Sequence, residues 1–144
     1  MRRALAIDEA SFGPNHPTVA NRLNNLAQLL KATNRLAEAE PLMRRALAID
    51  QASFASDHPH IARNLNNLAT LLQDTNRLAE AEPLMRRALA IFIDFERKIA
   101  RSHPDRDVVQ ANYVRLLVTM DKSEEEIQAT IATLTGVDSS RDPQ

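Results

Sequence analysis

The segment MRRALAI occurs three times in the chain, at residues 1–7, 43–49 and 85–91, so successive copies are 42 residues apart. Residues 1–42 and 43–84 align without a gap and are identical at 31 of 42 positions. A fixed period of about 20 to 50 residues is typical of stacked supersecondary units, each of which buries its apolar face against its neighbours. The repeat therefore predicts an array of such units, whose usual role is to present an extended binding surface.

The composition favours helices and argues against several classes of function. Alanine, leucine and arginine dominate, and only two of the 144 residues are glycine. The chain has no cysteine, which removes disulfides, thiolate metal sites and cysteine nucleophiles. With 18 basic and 19 acidic residues interspersed, the net charge of −1 offers no field that would steer the chain to nucleic acid or to a membrane.

The basic opening of the chain has the look of a signal sequence, but its apolar run is too short. Arg2 and Arg3 precede four apolar residues, and Asp8 and Glu9 then end the run. The same heptapeptide recurs inside the chain, so it belongs to the repeat. No stretch approaches the roughly 20 apolar residues of a membrane helix, and we expect a soluble, cytoplasmic protein.

Each repeat reads as two helices, which we call helix A and helix B. In the first full repeat helix A is predicted from Pro17 to Lys31, because its apolar residues follow helical spacing. A His-Pro pair precedes each helix A, at 16–17, 58–59 and 103–104, and proline favours a first helical position. Asparagine at 34 and 76 suits the left-handed turn that ends helix A.

Helix B is predicted from about Leu36 to Ala52, with a recurring apolar stripe. Pro41 and Pro83 fall inside the two copies of this helix, where proline removes a hydrogen bond and clashes with the preceding turn. We predict a bend at these prolines. The alternative is a helix that begins later, near Glu40.

These residues carry a family resemblance. The chain resembles tetratricopeptide repeats, in which fixed positions of helix A and helix B are large and apolar or small. The 42-residue length, the His-Pro start and the strings NNLA and AEPLMRRAL are similar to the longer variety found in kinesin light chain and in many bacterial proteins. The resemblance covers residues 1 to about 120. The matching residues are Leu23, Leu26, Ala27, Leu30, Ala39, Met43 and Ala46, then Leu65, Leu68, Ala69, Leu72, Ala81, Met85 and Ala88.

The resemblance implies an all-α, right-handed superhelical stack of antiparallel helix hairpins, with helices A on the concave face. It implies a protein-interaction module that binds a peptide in that groove. Asparagine recurs at positions 25, 67 and 112, and its amide can pair with both C=O and N–H of a peptide backbone. The alternative is that each amide ties its helix to the next repeat. The expected concave-face residues are Asn21, Asn24, Asn25, Gln28, Arg63, Asn66, Asn67, Thr70, Asn112 and Arg115.

The ends of the array depart from the pattern, and we divide the chain accordingly. Residues 1–15 are a helix B with its loop but without a helix A, and 16–57 are a full repeat. Residues 58–102 are a repeat with an altered end, and 103–136 a degenerate terminal hairpin that caps the single domain, 1–136. Ser123 and Glu126 predict a capping box at the start of the last helix, and Gly136 suits its end. The polar tail 137–144 is predicted to be disordered.

Large apolar residues at the altered end allow two interpretations. Phe92, Ile93 and Phe95 replace polar residues of the earlier repeat, and we expect them to pack under the three-residue insertion or the terminal helix. The other interpretation is an exposed patch for self-association or a partner. The residues assigned to such a patch are Leu5 and Phe12 of the open first helix, together with Phe92 and Phe95.

Other constellations have simpler explanations than chemistry. The arginine pairs of helix B lie near glutamates four residues earlier, which favours ion pairs over phosphate binding. Three of the four histidines precede a helix-starting proline, so a turn explains them without a metal. We expect no enzyme, no cofactor, no metal, no nucleic acid and no membrane as partner. A protein or peptide partner is expected, and the rival function is structural self-assembly, in which the terminal helices drive homo-oligomerisation.

Overall fold

The computed structural model describes residues 2–136, so Met1 and the predicted disordered tail lie outside it. These residues form seven α-helices joined by short turns, with no strand among them. Each predicted hairpin is a pair of consecutive helices that pack against each other. The helices are α1 (Arg2–Phe12), α2 (Pro17–Ala32), α3 (Leu36–Ser53), α4 (Pro59–Asp74), α5 (Leu78–Ile99), α6 (Arg106–Thr119) and α7 (Glu124–Thr135).

The predicted boundaries of the first two helices A are confirmed. Both begin at the proline of the His-Pro pair, where the missing N–H of proline has no helical partner to lose. Asn34 and Asn76, just past the ends of α2 and α4, have φ of 60° and 59°. Asparagine tolerates this left-handed conformation better than most residues, so it closes the turn between helix A and helix B.

The third helix A begins later than predicted. Pro104 and Asp105 form a turn, and α6 begins at Arg106. The preceding helix α5 continues to Ile99, and Ala100 then takes the left-handed conformation, with φ of 53°. The three inserted residues therefore lengthen helix B and displace the start of the next helix A, which the His-Pro pair alone could not reveal.

The prolines of helix B lie inside unbroken helices. Pro41 belongs to α3 and Pro83 to α5, and both helices begin at the leucine five residues earlier. The alternative of a helix starting near Glu40 is therefore wrong. Both proline rings are exposed, so packing on the opposite face holds the helix together despite the lost hydrogen bond. The predicted bend stays a prediction.

The core contains every residue that carried the family resemblance. These leucines, alanines and methionines are at most 3% exposed, and the small alanines let the two helices of a hairpin approach closely. Tyr113 takes the place of Leu68 in the third repeat and is also fully buried. Its hydroxyl donates to a carboxylate oxygen of Glu82 at 2.8 Å and accepts from Nε of Arg86 at 3.2 Å, so the buried polar atom is satisfied.

The altered end of the second repeat is packed, not exposed. Phe92 is fully buried and Ile93 is 6% exposed, while Phe95 is half-buried. The rings of both phenylalanines lie against His103, with centroids 4.6 and 5.6 Å away. The packing interpretation is confirmed, and the exposed-patch interpretation is wrong for Phe92, because the longer α5 folds this segment against the turn that precedes α6.

The terminal helices differ in how well they are covered. Ser123 and Glu126 form the predicted capping box, and Gly136 ends α7 with φ of 70°. Ile127 is buried, and Ile131 and Leu134 pack partly against the core. At the other end, Leu5 packs against the core, but Ile7 is 57% and Phe12 52% exposed, because no helix of the described residues covers that side of α1.

Candidate functional site

The expected concave-face residues lie on three neighbouring helices, α2, α4 and α6. Hydrogen bonds join α2 to α4 and α4 to α6, so the three helices present one continuous polar surface. Asn21, Asn25, Gln28, Arg63 and Arg115 are exposed. The remaining expected residues, Asn24, Asn66, Asn67, Thr70 and Asn112, are partly buried.

Some of the amides tie one repeat to the next. The amide nitrogen of Asn24 on α2 donates to Oδ1 of Asn64 on α4 at 2.5 Å. Asn112 on α6 donates to Oδ1 of Asn66 on α4 at 3.3 Å. Asn24 and Asn66 occupy the same position in successive repeats. Of the recurring asparagines at 25, 67 and 112, Asn112 therefore contacts a neighbouring repeat, as the alternative interpretation expected, and Asn24 and Asn66 make such contacts beside them.

Other amides on the same surface are not engaged. The side chains of Asn25 and Asn67 occupy one repeat position on adjacent helices, and neither makes a hydrogen bond within residues 2–136. Thr70, one turn further along α4, donates to the backbone oxygen of its own helix at Asn66. A pair of amides with free donors and acceptors therefore remains on the surface of α2 and α4.

Most cations of this surface are neutralised within the protein. Arg63 pairs with Asp105 at 3.2 Å, and Lys31 pairs with Asp74 at 3.3 Å. Such exposed pairs add little to stability, but each removes a net charge from the surface. Arg115 makes no ion pair within the described part of the chain. The surface is therefore polar and close to neutral, with Arg115 as a cation at its α6 end.

A buried polar position behind this surface escaped the sequence analysis. Asp8 accepts from Nε of Arg22 at 2.5 Å, and 42 residues later Asp50 accepts from Nδ2 of Asn64 at 2.6 Å. The next equivalent position, again 42 residues later, is the buried Phe92. We call the contacts at Asp8, Asp50 and Phe92 the first, middle and third junctions. The repeat period itself was the available signal, because it aligns these residues in sequence.

The middle junction differs from the first because its carboxylate, Asp50, bonds to an amide and has no cationic partner. Asp50 and Asn64 are each only 2% exposed. Burial raises the pKa of Asp50, an effect that the hydrogen bond from Asn64 and the charges of His60, His58 and Arg63 oppose. Oδ1 of Asp50 has no hydrogen-bond partner among the described residues.

The first arginine of each pair in α3 and α5 forms an ion pair with a glutamate of the same helix, as predicted. Arg44 pairs with Glu40 at 2.8 Å, and Arg86 pairs with Glu82. Arg77, at the start of α5, also reaches Glu40, and hydrogen bonds from Arg77 and Arg44 lower the pKa of that carboxyl despite its burial.

The second arginine of each pair binds the preceding loop. Arg45 donates to the backbone oxygen of Pro14 at 3.0 Å, and Arg87 donates to that of Ser56 at 3.4 Å. Pro14 and Ser56 are equivalent positions of the repeat. This ladder joins neighbouring repeats.

The three histidines that precede a proline make a specific hydrogen bond in addition to lying in a turn. Nδ1 of His16, His58 and His103 each accepts from the backbone N–H two residues later, at 3.1 Å. At His16 and His58 the imidazole thus serves as the helix cap that serine or asparagine usually supplies, whereas His103 makes its bond within the turn before α6. Phe12 and Phe54 stack on His16 and His58, with ring centroids 4.9 and 4.2 Å apart. The recurring Phe-x-x-x-His-Pro string was the sequence signal for this cap.

The pKa of His58 reflects this environment. Burial, and next the nearby His60, lower the pKa of His58, so the neutral form that accepts the hydrogen bond is favoured. Within residues 2–136 no three histidine, aspartate or glutamate side chains come together as metal ligands. No helix in that range is long and apolar enough to cross a membrane.

The fold and this surface define a class of protein, the α-helical repeat scaffolds. A family description of the tetratricopeptide repeat matches residues 1–52 and 32–94, which is more than half of the chain. The chain therefore belongs to the tetratricopeptide repeat family. Repeats of this family generally mediate protein–protein interactions, on a fold that serves as a non-catalytic scaffold.

Solved structures show the same fold. One is the crystal structure of a candidate kinesin light chain from Podosopora anserina with nearly identical TPR-like repeats. It is 24% identical, with a TM-score of 0.75 over 99% of this chain and 67% of the other. A second crystal structure, of a substituted form of that protein, is 23% identical, with the same TM-score and the same coverage. No curated protein matches the chain.

Proposed function

We propose that the chain is a protein-interaction module that binds an extended peptide along the face formed by α2, α4 and α6. The observation that carries the proposal is the pair of unengaged amides at Asn25 and Asn67, which stand at one repeat position on adjacent helices. An amide offers a donor and an acceptor, so two of them in register can hold a peptide backbone without demanding its sequence.

The electrostatics of the face suit a weakly charged peptide with an acidic end. Arg63 and Lys31 are already paired with carboxylates of the chain, so they add little attraction for an anion. Arg115 is exposed and makes no ion pair among the described residues. A carboxylate placed at the α6 end of the face would form a charge-assisted hydrogen bond there.

The test is a selection from a displayed library of unstructured peptides, followed by fluorescence anisotropy with the selected sequences. Each lost hydrogen bond costs about 0.5 to 1.5 kcal/mol, so Asn25→Ala combined with Asn67→Ala should weaken binding roughly tenfold to a hundredfold. Gln51→Ala is the matched control, because Gln51 is exposed on α3, away from this face. Equal affinity of the double variant and the control would reject the proposal.

A second function is favoured by a separate observation, the apolar surface at the first two helices. Ile7 is 57% exposed although its equivalents Ile49 and Ile91 are 4% and 6% exposed. Leu29 is 51% exposed, whereas its equivalent Leu71 is fully buried. Burying these side chains against another copy of the chain would be favourable, because it removes their apolar surface from water. Of the earlier patch, Phe92 is buried, whereas Phe12 lies on the same helix as Ile7 and is 52% exposed.

Self-assembly predicts a mass that rises with protein concentration in sedimentation velocity. Ile7→Ser combined with Leu29→Ser should abolish that rise, because hydroxyls lower the gain from burial. A monomer at every concentration in the unchanged protein would reject self-assembly. Leu29 lies one turn from Asn25 on α2, whereas Ile7 lies on α1, which is not part of the peptide face, so Ile7→Ser alone separates self-assembly from peptide binding.

A further inference from the structure

At the middle junction, buried side chains form a series of hydrogen bonds whose donor and acceptor ends are set by the charge of Asp50. Asn24 on α2 donates to Asn64 on α4 at 2.5 Å, and Asn64 donates to Asp50 on α3 at 2.6 Å. An ionised carboxylate can only accept hydrogen bonds, so the amide of Asn64 must turn its nitrogen to Asp50 and its oxygen to Asn24. Asn24 must then supply its own nitrogen. The charge on Asp50 thereby fixes the orientation of two amides.

At the other end of this series of hydrogen bonds, Asn24 is left with an unpaired acceptor oxygen. Oδ1 of Asn24 is buried and has no hydrogen-bond partner among the described residues, and the same holds for Oδ1 of Asp50. A buried oxygen without a donor is costly, and in native proteins it usually reflects a role or a missing partner. Asn24 precedes Asn25 on α2 and is partly buried as a residue, while its unsatisfied oxygen is buried.

We propose that Asp50, Asn64 and Asn24 form a proton-controlled relay that sets whether Asn24 offers an acceptor or a donor. When Asp50 takes one proton from solvent on Oδ2, its O–H becomes a donor. Asn64 then turns its oxygen to Asp50 and its nitrogen to Asn24, and gives up the 3.4 Å hydrogen bond that its nitrogen donates to the backbone oxygen of Ala46. Asn24 turns its oxygen to Asn64. The nitrogen of Asn24 becomes its free end, and no covalent bond other than the O–H bond changes.

The neighbouring junctions lack this device. At the first of them Asp8 pairs with a cation, Arg22, at 2.5 Å, and not with an amide. At the third junction the equivalent of Asp50 is Phe92, a fully buried ring that cannot titrate. Asn66, the equivalent of Asn24, accepts from Asn112 instead. The relay is therefore specific to the junction between α2, α3 and α4.

The surroundings of Asp50 allow its protonation to be followed. The titratable and charged groups that act on Asp50 are His60, His58 and Arg63, all from α4 or its cap, while α2 contributes the amide of Asn24. None of the three cationic groups donates a hydrogen bond to Asp50. Burial raises the pKa of Asp50, which moves its titration toward milder acid than that of a free aspartate.

The consequence for recognition rests on the proposed function. With Asp50 ionised the buried free end of Asn24 is an acceptor, and with Asp50 protonated it is a donor, so the relay changes the polarity beside Asn25 without a contact between Asn24 and the peptide. The relay itself needs no ligand, so it is tested without one. Its failure would leave peptide binding at Asn25 and Asn67 untouched, and failure of peptide binding would leave the relay untouched.

The experiment is an NMR pH titration of the full chain that follows the carboxyl carbon of Asp50 and the side-chain NH₂ groups. The relay predicts that the NH₂ signals of Asn24 and Asn64 shift with the same midpoint as Asp50, while those of Asn66 do not. In Asp50→Asn, which keeps shape and removes the proton site, the shifts of Asn24 should vanish although both neighbouring histidines remain.

Two outcomes would overturn the proposal. One is an Asn24 NH₂ signal that stays constant while Asp50 titrates. The other is a shift of equal size in Asp50→Asn, which would assign the effect to the histidines. Asn64→Leu gives a further check, because it removes the side chain that links Asp50 to Asn24 by hydrogen bonds. Asp50 should still titrate in that variant, and Asn24 should no longer respond.

Discussion

Two leucines at the same repeat position offer a direct measurement of how much the stacking of repeats stabilises the array. Leu71 on α4 is fully buried, whereas Leu29 on α2 is 51% exposed. Helix α4 packs against α3, α5 and α6, but α2 packs mainly against α3 and the eleven-residue α1. Replacing each leucine by alanine removes the same atoms from two environments that differ in neighbours.

The expected costs follow from burial. Leu71→Ala should lower the free energy of unfolding by about 3 to 5 kcal/mol, because it loses the full transfer free energy and leaves a cavity. Leu29→Ala should cost about 1 kcal/mol, since half of the side chain is already in water and no closed cavity remains. The helix propensity of alanine contributes equally to both variants and cancels in the comparison.

The assay is urea and thermal unfolding followed by far-ultraviolet circular dichroism at low and high protein concentration. At about 2 to 4 °C per kcal/mol, the melting temperature of Leu71→Ala should fall several times further than that of Leu29→Ala. Equal losses at low concentration would refute the reasoning, because they would require Leu29 to be covered in the monomer. A loss for Leu29→Ala that grows with concentration would instead identify self-association on that face.

Three smaller changes test the local structure. Ser123→Ala should cost about 1 kcal/mol in urea unfolding, because it removes half of a capping box; no loss would mean that α7 does not depend on its cap. Asn76→Ala should cost about 1 kcal/mol at its positive φ, whereas Asn76→Gly should be neutral or stabilising, and the reverse order would contradict the left-handed turn. Because the pKa of His58 is lowered in the fold, its contribution to stability is complete above the usual histidine pKa of about 6.5 and falls as the pH drops through that value. His58→Asn, which keeps a cap acceptor, should flatten the pH dependence of the unfolding free energy, and an unchanged slope would remove His58 as its cause.

Much of the fold could be predicted because its determinants are local or periodic. Pro17 and Pro59 start helices by their fixed φ, and Asn34 and Asn76 end the following turns. The third helix A could not be placed, because Pro104 has the same local signal and lies in a turn. Its position depends on how far α5 extends, and packing of Phe92 against the next turn decides that length.

The candidate surface was predictable in place but not in detail. The repeat period puts asparagines on one side of helices A, yet it does not say which amides find partners inside the protein. Asn66 and Asn112 pair across two helices, and Asn25 and Asn67 do not pair within the described residues. That distinction depends on how closely each amide approaches the neighbouring helix, which no sequence pattern encodes.

The sequence by itself determined that the protein is a stack of helical hairpins, since a 42-residue period of apolar and small residues can be buried only between repeating neighbours. Tertiary structure alone decided which equivalent residues differ in environment. Ile7 and Ile49 share a sequence context but are exposed and buried, and Asp8 and Asp50 share one but face a cation and an amide. Burial and hydrogen bonding are properties of what packs beside a residue, and a repeat unit does not carry its neighbours in its own sequence.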